Sequence, residues 1–344
     1  MPIVRCPVHR FEFLRVTTVA DAVAELAREP NAQVVAGGTN LIDLMKYHVS
    51  TPTRIIDITR LPLNTIEQRA DGGVSLGALV TNADVAASTI ILQRYPLLAS
   101  AILAGASGQL RNAATTGGNL LQRTRCSYFY DTHTPCNKRE PGTGCPAIEG
   151  CNRQHAILGT SAHCIATHPS DMCVALAALD AVVRVVGPHS ERVIAISDFH
   201  RLPGEAPERD TTLGHNELVV AVELPPPLYP LHSYLKIRDR QSFAFALVSV
   251  AAAVVVNDKV VSAAAVALGG VAHKPWRVTE AEALLIDRPP DIVVFAECAA
   301  RLVQGAVGRQ NNAFKIELAQ RAIVRALTQA TNETPQSQSV KRVR

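Results

Sequence analysis

Four of the chain's eight cysteines fall in one stretch, "TRCSYFYDTHTPCNKREPGTGCPAIEGC", residues 124–151. They are Cys126, Cys136, Cys145 and Cys151. The stretch is rich in Pro, Gly and charge, with no apolar period that would make it a core element. Such a cluster either staples a loop through disulfides or holds a metal through thiolates. The gaps run C-x9-C-x8-C-x5-C, Cys164 follows after twelve intervening residues, and no CxxC pair occurs. Zinc knuckles pair their ligands at C-x2–4-C, and ferredoxin clusters use short fixed spacings. A long irregular loop can still wrap a cubane cluster, because each thiolate has to reach only one iron. Spacing alone leaves iron–sulfur, zinc and free thiols open. Cys173 and Cys298 fall on helical apolar patterns and read as small core residues. Cys6 has no evident partner.

A second chemical signal comes from paired glycines. "AGGTN" (36–40) lies between a strand pattern and a helix pattern, and "TTGGN" (115–119) lies just before the cysteines. A Gly pair lets a ligand approach the backbone, and a helix opening at Thr39 would aim N–H groups at an anion. Two tight turns without a ligand satisfy the same pattern. Neither loop is GxGxxG, and no GxxxxGK[ST] occurs. No Ser-His-Asp, HExxH or paired-carboxylate arrangement points to hydrolytic chemistry.

The elements that must position these groups alternate in the first half. "TTVADAVAELARE" (17–29) predicts a helix capped by Thr17 or Thr18, and "AQVVAGG" (32–38) a buried strand. A helix over 39–48, a strand over 53–58 and a strand–turn–helix over 72–88 follow, the last capped by Thr81 or Asn82. Further helices are expected over 95–107 and 168–181, the second with Ser170 or Asp171 near its cap, then a hairpin from "AVVRVVG" and "ERVIAI". "LPPPLYP" (224–230) marks a domain boundary. Beyond it, "SYLKIRDR", "FAFALVSVAAAVVV" and "VVSAAAVALGGVA" predict strands, and three helical patterns end the ordered chain. Strands followed by helices make an α+β pattern.

Composition bounds the partners. The chain has 344 residues, 47% of them hydrophobic and only 4% aromatic, with a formal charge of +4. That is enough apolar content for real cores and too few aromatics for a base-stacking surface, so no nucleic acid partner is expected. The longest apolar run, 243–256, is too short to span a bilayer, and no membrane insertion is expected. The N-terminus carries no basic region followed by an apolar one, so no signal peptide is expected.

"VVAGGTNLIDLM", "LRNAATTGGNLLQ" and "HPSDMCVALAALDA" resemble the FAD-binding, or medium, subunit of the molybdenum hydroxylases, the xanthine dehydrogenase family. "YLKIRDRQSFAFALVSVAAAV" and "ALGGVAHKPWR" resemble its C-terminal domain. "TRCSYFYDT", "PCNKR" and "HCIATHPSDM" look like the periplasmic aldehyde oxidoreductase branch. The resemblance implies an α+β protein with four parts. Residues 1–226 would be a two-part FAD-binding domain of the PCMH type, with a [4Fe–4S] insertion at about 123–165. Residues 227–330 would be a C-terminal domain like that of the carbon monoxide dehydrogenase flavoprotein, and 331–344 a disordered tail.

The resemblance also implies a site. FAD would be held by Val34, Val35, Ala36, Gly37, Gly38, Thr39, Asn40 and Leu41 on the first loop. Ala106, Thr115, Gly118, Asn119 and Gln122 would close on the flavin and phosphates. Ser170 and Asp171 would reach the ribityl chain, and Lys236 would lie near the isoalloxazine. The cluster ligands would be Cys126, Cys136, Cys145 and Cys164, with Cys151 as the alternative fourth. Substrate would be oxidised elsewhere, on a large subunit carrying molybdenum cofactor, with a small [2Fe–2S] subunit completing a heterotrimer. Electrons from an aldehyde would pass through FAD to an acceptor such as ferredoxin. Co-export with a partner that carries the signal would place the complex in the periplasm, the alternative being the cytoplasm. The rival readings are the FAD subunit of an enzyme acting on xanthine or another N-heterocycle, and a zinc-stabilised interaction module.

Overall fold

The computed structural model describes residues 8–338, so Cys6 lies outside the described residues. Strands β1 (Glu12–Arg15), β2 (Ala32–Val35) and β3 (Arg54–Asp57) form a parallel sheet in the order β1-β3-β2. The helix Val19–Arg28 begins where the sequence places it. The Thr18 hydroxyl accepts from the Asp21 N–H at 3.1 Å, and Ala22, Val23 and Leu26 are buried.

A second, antiparallel sheet has the order β4-β5-β8-β6-β7. Its strands are β4 (Ile66–Gln68), β5 (Val74–Gly77), β6 (Val182–Val186), β7 (Glu191–Ala195) and β8 (Leu218–Leu224). The β6–β7 hairpin is the expected one. β8 lies at the centre with all seven residues buried. A strand buried on both faces has no polar alternation to announce it, and the sequence pattern does not single it out. A cluster of helices, among them Asn82–Ala87, Pro96–Ala104 and Asp171–Ala178, packs with this sheet into one core.

The third sheet is antiparallel, in the order β12-β11-β10-β9. It comprises β9 (Leu231–Ile237), β10 (Val248–Asn257), β11 (Val260–Gly269) and β12 (Trp276–Arg277). Residues 243–247, expected within β10, are not strand, and Phe243 adopts φ +51°. The two faces of this sheet belong to different cores. Ala251, Ala253, Ala265 and Ala267 join the core of the helix Asp171–Ala178, where small side chains permit close approach. Val250, Val254, Val266 and Leu268 point the other way, against the helices Ile292–Leu302 and Phe314–Thr331. The strand period of two therefore serves two cores at once.

The tail expected beyond residue 330 is described as far as Gln338, whose Nε2 donates to Tyr234 O at 3.1 Å. Residues 339–344 lie outside the described residues. Among the described residues, no helix is long and apolar enough to cross a membrane.

Candidate cofactor sites

The two glycine loops meet, but not as two plain turns. Gly38 sits at φ +71°, so the first loop does need a residue without Cβ there. Gly37 serves packing instead: a Cβ on it would lie 1.8 Å from Ala113 O. The space that a Gly pair offers a ligand is taken at Gly37 by the backbone of Ala113 and Ala114, just before the second loop. The second pair is not a turn at all. Gly117 and Gly118 lie inside the short helix Thr116–Leu120, capped by Thr115 Oγ1, which accepts from the Gly118 N–H at 3.2 Å.

Two clefts open on either side of this junction. One, of about 390 Å³, is mainly apolar and is lined by Val34, Val35, Ala36, Gly37, Gly38, Leu41, Leu44, Ile58 and Thr115. The other, of about 660 Å³, is lined by Ala106, Asn119, Gln122, Ser170, Asp171 and Lys236. Thr39, Asn40 and Gly118 line both. All sixteen residues expected at the flavin therefore face one or both clefts. Asn40 Oδ1 accepts from the Arg123 N–H at 2.9 Å, which leaves its Nδ2 buried without a partner at the point the clefts share. An unpaired buried amide donor there suits an anionic group, so the arrangement fits a dinucleotide whose pyrophosphate crosses the junction.

The larger cleft has a polar floor. Asn119 Oδ1 accepts from Ser170 Oγ and from Gln122 Nε2, and Asn119 Nδ2 donates to Asn82 Oδ1 at 2.6 Å. Ser170 also caps its helix by accepting from the Cys173 N–H at 3.0 Å. Lys236 is not an exposed strand residue. It is 8% exposed, and its Nζ donates to Asp171 Oδ2 at 2.7 Å and to Ala104 O at 3.1 Å. Tyr234 OH donates to Asp171 Oδ1 at 2.7 Å. Burial and the Asp171 charge push the Tyr234 phenol well above its ordinary range, so it stays a donor. Both oxygens of Asp171 are thus engaged by the protein, and its first role is to hold the Lys236 ammonium at the wall of the cleft. Sequence reasoning missed Arg111, Arg125, Arg240, Phe243 and Phe245 on the same walls. None of them carried a signal in the sequence: the two phenylalanines fall in the apolar run 243–256 that was expected to be strand, yet both are exposed.

The cysteine segment holds one short helix, Ser127–Tyr130, and is otherwise irregular to residue 170. Polar side chains fix it. The Arg139 guanidinium donates to Tyr128 O at 2.6 Å and Phe129 O at 2.8 Å. Lys138, 2% exposed, donates to Pro207 O at 2.8 Å and pairs with Asp210. Lys315, fully buried, donates to His155 O at 2.8 Å and to Gly270 O, and burial pushes it down to about 7. The segment is therefore bound to both cores rather than set apart as a separate flap.

Cys126, Cys136, Cys145 and Cys164 line one small cavity walled by Phe129, Pro146, Ala147 and Ala166. Cys151 is exposed and faces a neighbouring cavity of about 250 Å³ instead. Cys145 and Cys164 act on each other in opposite directions, the Cys145 thiol drawn down to about 6 by its neighbour and the Cys164 thiol pushed up by Cys145 and by burial. Burial, reinforced by charge on Cys136 and Cys145, pushes Cys126 up to about 11. His155 Nε2 lies 3.1 Å from Cys126 Sγ. Four thiols lining one cavity fit a thiolate-ligated metal group. Cys173 and Cys298 are buried, as expected of core thiols.

Residues 9–227 match the family model "FAD binding domain in molybdopterin dehydrogenase", and residues 233–330 match "CO dehydrogenase flavoprotein C-terminal domain". The chain is 51% identical, over 93% of its length and 98% of the relative's, to the aldehyde oxidoreductase FAD-binding subunit PaoB of Escherichia coli K12. It is 27% identical to the glyceraldehyde dehydrogenase medium chain of Sulfolobus acidocaldarius, over 81% of this chain and 82% of that one. In fold it matches quinoline 2-oxidoreductase from Pseudomonas putida 86, with a TM-score of 0.74 at 22% identity over 95% of this chain and 99% of that one. The two clefts and the two family matches agree: the chain belongs to the FAD-binding medium subunits of the molybdenum hydroxylases, and is an oxidoreductase subunit with an FAD-binding domain.

Proposed function

We propose that the chain is the FAD- and [4Fe–4S]-carrying electron-transfer subunit of a three-subunit, molybdenum-dependent aldehyde oxidoreductase. The observation that carries the cluster is the convergence of Cys126, Cys136, Cys145 and Cys164 on one cavity, with Cys151 outside it. Their spread favours iron–sulfur over zinc. A tetrahedral zinc site with Zn–S near 2.3 Å holds its sulfurs roughly 3.8 Å apart. Among the described residues, no three of these thiols come within 4.8 Å of one another. A cubane accepts wider ligands, because each thiolate binds a different corner. The aldehyde assignment rests on the 51% identity to a relative named as an aldehyde oxidoreductase subunit.

FAD, when bound, exchanges two-electron for one-electron transfer. The residues of the chain position and bias it. Thr39, Asn40 and Gly118, at the junction of the clefts, would hold the pyrophosphate. The apolar cleft of Val34, Val35 and Leu41 would take the adenosine end, and the larger cleft the flavin end. Lys236, held by Asp171, would turn its ammonium N–H toward that end and favour the negatively charged reduced form. Oxidation of the aldehyde belongs to a large molybdenum-cofactor subunit, and a small subunit supplies [2Fe–2S] clusters. The acceptor is a carrier such as ferredoxin, and the complex reaches the periplasm on a partner's signal.

Purification with native partners tests this reading. It predicts one FAD and four non-partner irons per chain, turnover of aldehydes in preference to xanthine, and recovery from the periplasmic fraction. One zinc without flavin would replace it with a zinc-stabilised module, and preferred turnover of xanthine would move it to the N-heterocycle branch.

A further inference from the structure

A third group of side chains able to ligate a metal lies outside the lining of both the cysteine cavity and the flavin cleft. His168 follows Cys164 in the irregular segment, Cys173 lies in the first turn of the helix Asp171–Ala178, and His200 directly follows the helix Ile196–Phe199. One ring nitrogen of each histidine and the Cys173 Sγ all lie within 4.8 Å of one another. Cys173 is 0% exposed and His200 2%.

The hydrogen bonding leaves both imidazoles short of partners. His200 Nε2 lies 2.8 Å from Leu120 O. A carbonyl only accepts, so Nε2 carries the proton and Nδ1 keeps its lone pair. His200 Nδ1 and His168 Nε2 are both buried with no hydrogen-bond partner. A histidine whose far nitrogen donates to a backbone carbonyl while the near one is left bare is the usual outer-shell arrangement of a metal ligand. Burial keeps both rings neutral, His200 at about 4 and His168 well below its ordinary value. Their lone pairs are therefore free at neutral pH. Burial pushes the Cys173 thiol up to about 12, so it would lose its proton only to a metal.

We propose that His168, Cys173 and His200 form a buried His₂Cys site for a single zinc ion. Binding exchanges the Cys173 S–H proton for an S–Zn bond and releases that proton to solvent. The bound centre carries one net positive charge, from one zinc ion and one thiolate. No electron transfer is involved. The ion would tie the strand of chain between Cys164 and the Ser170 cap to the Leu120 segment. It would thereby fix the distance between the two cofactor sites.

The test uses the purified complex with its native FAD and iron, incubated with Zn²⁺ and desalted. Elemental analysis should give one zinc per chain. Absorption at the zinc K-edge should show one sulfur and two imidazole nitrogens. Cys173→Ser should lower bound zinc at least tenfold while FAD and iron stay at wild-type stoichiometry. Cys298→Ser, in the other core, should leave zinc unchanged. Zinc below one tenth per chain, or zinc unaffected by Cys173→Ser, would overturn the site. So would a shell of three or four sulfurs, which would put the ion among the other cysteines. If Cys173→Ser loses FAD, the sulfur count of the wild-type spectrum decides alone.

Discussion

At the scale of single residues, the sites depend on contacts that residue type alone does not reveal. His155 is the clearest case. Its Nε2 is 3.1 Å from Cys126 Sγ, and once Cys126 is a ligand it has no proton to give. The imidazole must then donate, and N–H···S bonds raise the potential of an iron–sulfur centre. His155→Leu is therefore expected to lower the cluster's midpoint potential while iron content is retained, read by a redox titration followed by EPR. An unchanged potential would remove this role. Gly118 separates packing from binding. A Cβ there meets only Thr115 Oγ1, at 2.9 Å, unlike Gly37, where it would strike backbone. Because Gly118 lines both clefts, Gly118→Ala should weaken FAD binding about tenfold, roughly 1.4 kcal/mol, with a smaller loss of Tm than Gly37→Ala, since only the Thr115 hydroxyl has to shift. Flavin titration of apo-protein alongside a melting curve would show it.

At the scale of elements, the legible parts were those with local chemistry. Thr18, Thr81 and Ser170 cap helices as their residue types predict, each accepting from an N–H three residues on. β8 was not legible because burial on both faces erases its period. The second Gly pair was misleading because its glycines serve a short helix against Ala78 rather than a turn. Asp171 read as a helix cap or ribityl contact, yet its partners Tyr234 and Lys236 lie more than sixty residues away on β9, and no local pattern encodes that. The third sheet offers a test of its two-faced packing. Ala265 is 0% exposed within the flavin-side core, so Ala265→Leu should overpack it and cost about 1–3 kcal/mol. Urea unfolding would measure the loss, and an unchanged midpoint would mean that this face is looser than described.

At the scale of the whole molecule, the two family domains share a core at the third sheet, and the cysteine segment packs against both. That segment stood out in the sequence as a cysteine cluster without an apolar period, but its docking on both cores was not legible. Ile157 and Leu158 sit in the C-terminal core, and Lys315 reaches back to His155 O. The polar centre of this junction is Lys138, Asp210, Arg123 and His273, and it sets an acid limit. Burial, aided by the Lys138 charge, pushes His273 down to about 4. The unfolded chain takes up this proton below about 6.5 while the folded chain resists until about 4. Stability is therefore lost as pH falls through that window, on the order of 3 kcal/mol. Burial alone would raise the Asp210 carboxyl, but Lys138 and Arg123 outweigh it and hold it well below its ordinary range. Its contribution is present above the unfolded carboxylate value and disappears only at still lower pH. Unfolding at pH 7 and pH 5 should show the lower stability at pH 5, and equal stability would contradict the neutral burial of His273.

The central claim is that this flavin subunit carries its own [4Fe–4S] cluster on Cys126, Cys136, Cys145 and Cys164. The most direct measurement is iron per chain in two variants of the purified complex, Cys164→Ser and Cys151→Ser, with FAD content measured on the same samples. The account predicts that Cys164→Ser loses the subunit's four irons and that Cys151→Ser keeps them, both retaining FAD. Iron kept in Cys164→Ser and lost in Cys151→Ser, or no iron on the subunit in the wild type, would contradict it.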